Sequence, residues 1–216
     1  MKTFVKFCGL TDPKVFPEIP PGGAGGFVID CPGSPRSVSV DRAIELVGAL
    51  PQGVEAWAVV VDPSAETIHT FFDEVGVDRI QVYGKIPEGL DFLERHHLVP
   101  SIAIPRSAEP VVRPSLPPAE EFPRIHLDAG AGLGRPGGNG QPADWNLAAE
   151  LREAYPGRKL LLAGGLTPEN VKEALRTARP WGVDVASGIE SAPGVKDPDR
   201  MRAFLRAVIH FEESDA

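Results

Sequence analysis

Cysteine is nearly absent, with only Cys8 and Cys31 in 216 residues. Two thiols make no disulfide framework, and neither CxxC nor HExxH occurs, so a stapled secreted scaffold and the common zinc and redox motifs are excluded. The five histidines, His69, His96, His97, His126 and His210, show no ligand spacing, and no metal site or cofactor is expected. Long apolar runs are missing as well. Nothing approaches the roughly 20 residues of a membrane helix, and MKTFVKFCGL meets charge and turn residues too soon for a signal region. The expected compartment is the cytoplasm. Positive charge is in deficit, 22 Lys and Arg against 30 Asp and Glu, giving a net charge of −8. Such a field repels phosphate backbones, so neither nucleic acid nor an anionic membrane is an expected partner. An anionic substrate would need a local basic or amide-lined pocket.

What is present is an ordinary globular composition, 42% hydrophobic and 24% charged, at a length suited to one domain over residues 1–216. Eight short β-rich runs predict strands at 3–8, 26–29, 55–61, 79–83, 99–104, 124–128, 159–163 and 182–186. Amphipathic segments lie between them. Val171, Ala174, Leu175 and Ala178 share one helix face, as do Met201, Phe204, Leu205 and Val208. Thr167-Pro168, Asp197-Pro198 and Asp12-Pro13 each set an oxygen-bearing residue before a proline, the pattern of a capped helix start.

Eight strands in 216 residues leave about 27 residues per βα unit, enough for an α/β (β/α)₈ TIM barrel, with a doubly wound open sheet as the alternative. Prolines in VFPEIPPGGAGG and PRSAEPVVRPSLPPAEEFP predict that the first and fifth helices are shortened or replaced by irregular chain. The acidic tail HFEESDA is expected to fray.

Barrel chemistry sits at the C-terminal strand ends. Cys8 ends the first strand, where it is either a small buried filler or a reactive thiol. Asp128 ends the sixth, and either points into the mouth or caps the next loop. Arg36 follows the second, as a solvated charge or a bidentate grip on a carboxylate. His126 reads as structural, and Cys31 has no assigned role. Glycines after strands six, seven and eight (GGNGQ, AGGLTPEN and ASGIE) either serve turns or bring backbone amides to an anion. The last two hold the usual positions of a barrel phosphate site.

The stretches KFCGLTDP, GFVIDCPGSPR, IQVYG, LDAG…GGNGQPADW, LLAGGLTPENV and GVDVASGIESAPGVKD, in that order and spacing, resemble the phosphoribosylanthranilate isomerase family. The resemblance implies a (β/α)₈ enzyme of tryptophan biosynthesis. Its reaction would be the Amadori rearrangement of N-(5-phosphoribosyl)anthranilate to 1-(2-carboxyphenylamino)-1-deoxyribulose 5-phosphate, without cofactor or metal, by a monomer or homodimer. It puts the general base on Cys8, the general acid on Asp128 and the substrate-carboxylate contact on Arg36. Phosphate would lie on the amides around Gly164, Gly165, Ser187 and Gly188, with Gly137, Gly138, Gly140 and Gln81 in substrate-facing segments. Lys6, two residues from Cys8 on the same strand face, is expected to lower the thiol pKa. Tyr83, Gln141 and Ala143 depart from the family's usual histidine, lysine and phenylalanine. Other phosphate-binding barrel enzymes, such as an epimerase or the next synthase of the pathway, and a noncatalytic ligand-binding barrel are the alternatives.

Overall fold

The computed structural model describes residues 2–104, 113–129 and 143–214. Eight parallel strands form the frame: β1 (Phe4–Cys8), β2 (Ala24–Ile29), β3 (Glu55–Val61), β4 (Arg79–Tyr83), β5 (Leu98–Ala103), β6 (Arg124–Asp128), β7 (Lys159–Leu162) and β8 (Gly182–Val185). Each pairs in parallel with its sequence neighbours, and β1 pairs with both β2 and β8. The sheet therefore closes on itself, which rules out the open doubly wound alternative.

Six α-helices accompany the strands: α1 (Val40–Gly48), α2 (Ala65–Thr70), α3 (Phe92–His97), α4 (Trp145–Ala154), α5 (Val171–Ala178) and α6 (Pro198–Ser214). The first crossover holds only a 3₁₀ turn, Pro13–Glu18, opened by Asp12, which accepts from the Lys14 amide at 3.0 Å. Pro17 inside it prevents continuation as an α-helix. Between β5 and β6 the described residues, 113–123, contain no helix. The tail stays helical as far as Ser214.

α5 buries Val171, Ala174, Leu175 and Ala178, as its spacing predicts. Its start differs from expectation. Thr167-Pro168 opens a turn, in which Asn170 accepts from the Thr167 amide at 2.8 Å, and the helix begins only at Val171. The Asp197-Pro198 start holds, with Asp197 accepting from the Asp199 and Arg200 amides. Phe204 on α6 meets Phe7 edge-on at 6.2 Å, and burying it contributes about 1.5–3 kcal/mol.

Strand alternation sends 4, 6 and 8 of β1 into the barrel, where the filling is layered. Phe4, Trp57, Val99 and Leu161, all from odd-numbered strands, make an apolar floor with Ala24. Beneath it Arg124 donates to Glu55 and lies over the rings of Trp181, Phe4 and Trp57 at 4.9, 5.7 and 5.7 Å. Above the floor comes a polar layer of Lys6, Gln81, His126 and Asp184, all buried. Cys8, Val28, Val59 and Tyr83 pack together at the mouth.

Candidate active site

A cleft opens at the C-terminal mouth, lined by Cys8, Arg36, Tyr83, Asp128, Gly164 and Ser187 among others. This is the place of a small-molecule site in a barrel. It brings together Cys8, Asp128, Arg36, Gly164, Gly165 and Ser187 of the candidates read from sequence. Gly188 lies behind Ser187 without lining the cleft. Gln81 is buried and does not line the cleft; it donates to the His126 ring and accepts from Lys6. Gly137, Gly138, Gly140 and Gln141 lie outside the described residues.

Cys8 is buried, two residues along β1 from Lys6 of the polar layer. Burial pushes its thiol up, and Asp184 adds to the rise. Lys6 and Lys196 oppose it but do not overcome it. The expected depression by Lys6 is thereby corrected in its net direction. The cause is first the burial of the thiol, which outweighs the lowering by Lys6, and second Asp184, to which the Lys6 ammonium donates at 3.0 Å while also donating to Gln81 at 2.9 Å. For Lys6 itself burial works against the charge, but Asp184 and Cys8 outweigh it and the ammonium titrates above its ordinary range.

Asp128 accepts a 2.9 Å hydrogen bond at Oδ2 from the Tyr83 phenol. Burial, together with the neighbouring Asp128 carboxylate, drives the Tyr83 pKa well above its usual value, so the phenol remains a donor at physiological pH. The other carboxylate oxygen, Oδ1, comes within 3.0 Å of where a Cβ on Gly164 would stand, so this glycine lets the loop after β7 pass close to the acid. Of the departures from the family pattern, Tyr83 lines the cleft, and Ala143 is buried and donates from its amide to the Gly164 carbonyl at 3.3 Å.

Gly164 and Gly165 both have positive φ, +87° and +64°, in the left-handed region that glycine enters without strain. A 3₁₀ turn, Ser187–Ile189, follows β8. At Gly188 an added Cβ would stand 1.9 Å from the Leu166 carbonyl oxygen, so the two loops touch there without room for a side chain. The helix start expected at Thr167-Pro168 lies four residues beyond Thr167, at Val171 of α5.

Asp184, Glu190 and Lys196 were missed from sequence. Asp184 lines the cleft; it accepts from Lys6 and makes a 3.0 Å contact with His126, while its Oδ1 is buried without a hydrogen-bond partner. Burial opposes its charge, yet Lys6 and His126 hold its carboxyl below the usual range. The only sequence signal was an acidic residue at an inward position of GVDV. His126 is a member of this layer, bonded to Gln81, Ser101 and Asp184.

Comparison with known proteins points one way. The sequence pattern of the family described as N-(5'phosphoribosyl)anthranilate (PRA) isomerase matches residues 5–207. N-(5'-phosphoribosyl)anthranilate isomerase of Paramagnetospirillum magneticum is 37% identical over 216 residues, covering 96% of this chain and 97% of that protein. The crystal structure of phosphoribosyl anthranilate isomerase from Thermotoga maritima superposes with a TM-score of 0.75 at 30% identity, covering 96% of this chain and 99% of that one. A phosphoribosyl anthranilate isomerase in complex with reduced 1-(o-carboxyphenylamino)-1-deoxyribulose 5-phosphate gives 0.73 at 29% identity, with the same two coverages.

Proposed function

This chain belongs to the N-(5'-phosphoribosyl)anthranilate isomerase family, and from that membership we propose that it catalyses the Amadori rearrangement of N-(5'-phosphoribosyl)anthranilate, the isomerase step of tryptophan biosynthesis. The observation that carries the residue assignments is the convergence of Cys8, Asp128 and Arg36, from three different strand ends, on one cleft whose far rim is the glycine-bearing loop after β7.

In this reading Asp128 protonates the ribose ring oxygen as the C1′–O bond breaks, and the aniline nitrogen supplies the electron pair that forms the imine. The imine acidifies the C2′ proton. The Cys8 thiolate removes that proton, and the enol collapses to the ketone as C1′ gains a proton and the C2′ hydroxyl loses one. Composition is unchanged, as an isomerisation requires. Oδ2 of Asp128 is occupied by Tyr83, so the transferable proton belongs on Oδ1. Burial keeps the resting thiol protonated, and the nearby Lys6 and Lys196 reduce the cost of ionising it. Turnover should therefore rise with pH above neutrality.

Arg36 holds the carboxylate of the anthranilate ring with two parallel hydrogen bonds. The phosphate lies on the backbone around Gly164, Gly165, Ser187 and Gly188, at the usual position for this fold. Two free cysteines suit a reducing compartment, and we place the protein in the cytoplasm. No helix among the described residues is long and apolar enough to cross a membrane.

The direct test is turnover of N-(5'-phosphoribosyl)anthranilate by the purified chain, with and without chelator. Conversion to the deoxyribulose phosphate product in both is the expected result. A folded protein that binds the substrate without converting it would favour the noncatalytic barrel.

A further inference from the structure

Arg36 is not free in the cleft. Its Nε and Nη2 donate to the two carboxylate oxygens of Glu190, each at 2.7 Å, so one edge of the guanidinium is fully engaged. Lys196 donates to Oε1 of the same carboxylate at 2.7 Å and to the Ala186 carbonyl at 2.9 Å. All three side chains are more than nine-tenths buried.

The backbone around them is interlocked. Glu190 and Lys196 face each other across the antiparallel pair Glu190–Ala192 and Val195–Lys196. Its turn residue Gly194 has φ +83°, and a Cβ there would stand 2.4 Å from the Pro35 carbonyl oxygen, so the hairpin is seated on the loop that carries Arg36. The stem of Arg36 in turn crosses Gly9, where an added Cβ would be 2.4 Å from its Cδ. Loops after β1, β2 and β8 thus meet at one guanidinium.

Two consequences follow from charge and geometry. A guanidinium has five N–H groups, and engaging the Nε/Nη2 edge leaves the Nη1/Nη2 edge with two parallel donors for a second carboxylate. Arg36 and Glu190 alone would sum to zero, and an incoming carboxylate would meet Glu190 as well as Arg36. Lys196 restores one net positive charge to the group.

We propose that Glu190 and Lys196 are positioning residues for the carboxylate subsite, Glu190 fixing which edge of Arg36 is offered and Lys196 cancelling the negative charge that does so. The inference rests on the reading of Arg36 given above. It makes the hairpin after β8 a determinant of selectivity for carboxylate-bearing aryl groups, separate from the phosphate end.

The test compares two ligands on the full chain: the reduced product, 1-(2-carboxyphenylamino)-1-deoxyribulose 5-phosphate in its reduced form, and its counterpart with a plain phenylamino group. The ratio of their dissociation constants reads the carboxylate contact alone. Wild type should favour the carboxylated ligand by about 10-fold or more. Lys196→Gln should lose most of that preference while binding the phenylamino ligand as wild type does, and Lys196→Arg should keep it. Lys196→Gln keeps the buried Arg36–Glu190 ion pair and should fold, whereas the double variant Glu190→Gln/Lys196→Gln keeps the single net positive charge on Arg36 but removes the carboxylate that fixes its edge. Its preference should fall below wild type, because a glutamine cannot take both Arg36 hydrogen bonds. Equal loss of both ligands, or an unchanged ratio in Lys196→Gln and the double variant, would overturn the positioning role and leave Arg36 standing. A wild type that binds both ligands equally would overturn the Arg36 assignment and the inference with it.

Discussion

The phenol of Tyr83 donates to Oδ2 of Asp128 at 2.9 Å, and both groups are buried at the barrel mouth. Tyr83→Phe removes the donor and leaves a buried carboxylate oxygen short of a partner. Hydrogen bonds to charged groups contribute about 1.5–3 kcal/mol, so the variant should unfold at lower denaturant by that order. Equilibrium denaturation in urea measures it. No loss of stability would mean that this hydrogen bond does not hold the carboxyl in place.

The pH dependence of stability has a defined sign at each end. The Cys8 thiol is raised in the fold, so above about pH 8.5 the unfolded chain sheds its proton first and stability falls as pH rises. The Lys6 ammonium is also raised; its contribution is complete below about pH 10.4 and is lost as pH climbs through its folded value. Asp184 is depressed, so its contribution holds above about pH 3.9 and fades as pH drops further. Urea midpoints measured from pH 4 to pH 10 should show a plateau between about pH 5 and 8 with a decline on the alkaline side. In Cys8→Ala the decline should begin at higher pH.

The phosphate cradle can be tested at Gly165, whose φ of +64° lies in the left-handed region that aspartate tolerates at a cost of about 1–2 kcal/mol. Gly165→Asp should therefore fold, yet place a carboxylate where phosphate is expected. Affinity for inorganic phosphate and for the reduced product should drop sharply. Wild-type affinity in the folded variant would locate the anion elsewhere.

How much was legible beforehand depended on the range of the interaction. The strand at 55–61, apolar from Ala56 onward and with turn residues on both sides, reads correctly from local pattern alone, as do 79–83 and 124–128. The placement of Cys8 and Asp128 at the mouth was legible because each ends a strand, while the roles proposed for them and for Arg36 came from the family resemblance. Thr167-Pro168 misled because the same dipeptide opens a turn as readily as a helix, and Asn170, three residues on, takes the Thr167 amide. The hidden members were those whose partners are remote. Asp184 pairs with Lys6 178 positions away, and Glu190 with Arg36 154 positions away. Only barrel closure brings them together, and no local periodicity records it. The same closure explains the sign of the Cys8 shift, since Lys6 was visible beside the thiol but the depth of burial, and after it the Asp184 carboxylate, were not.

The central claim is that Cys8 and Asp128 are base and acid in one cleft, and kcat of the folded Cys8→Ala and Asp128→Asn variants tests it most directly. Cys8→Ala removes one buried sulfur, and Asp128→Asn keeps the shape while losing the transferable proton. Each should lower kcat on N-(5'-phosphoribosyl)anthranilate by about 10²- to 10⁴-fold, with circular dichroism and binding of the reduced product close to wild type. Near-wild-type kcat in either folded variant would contradict the account and return that residue to a structural role.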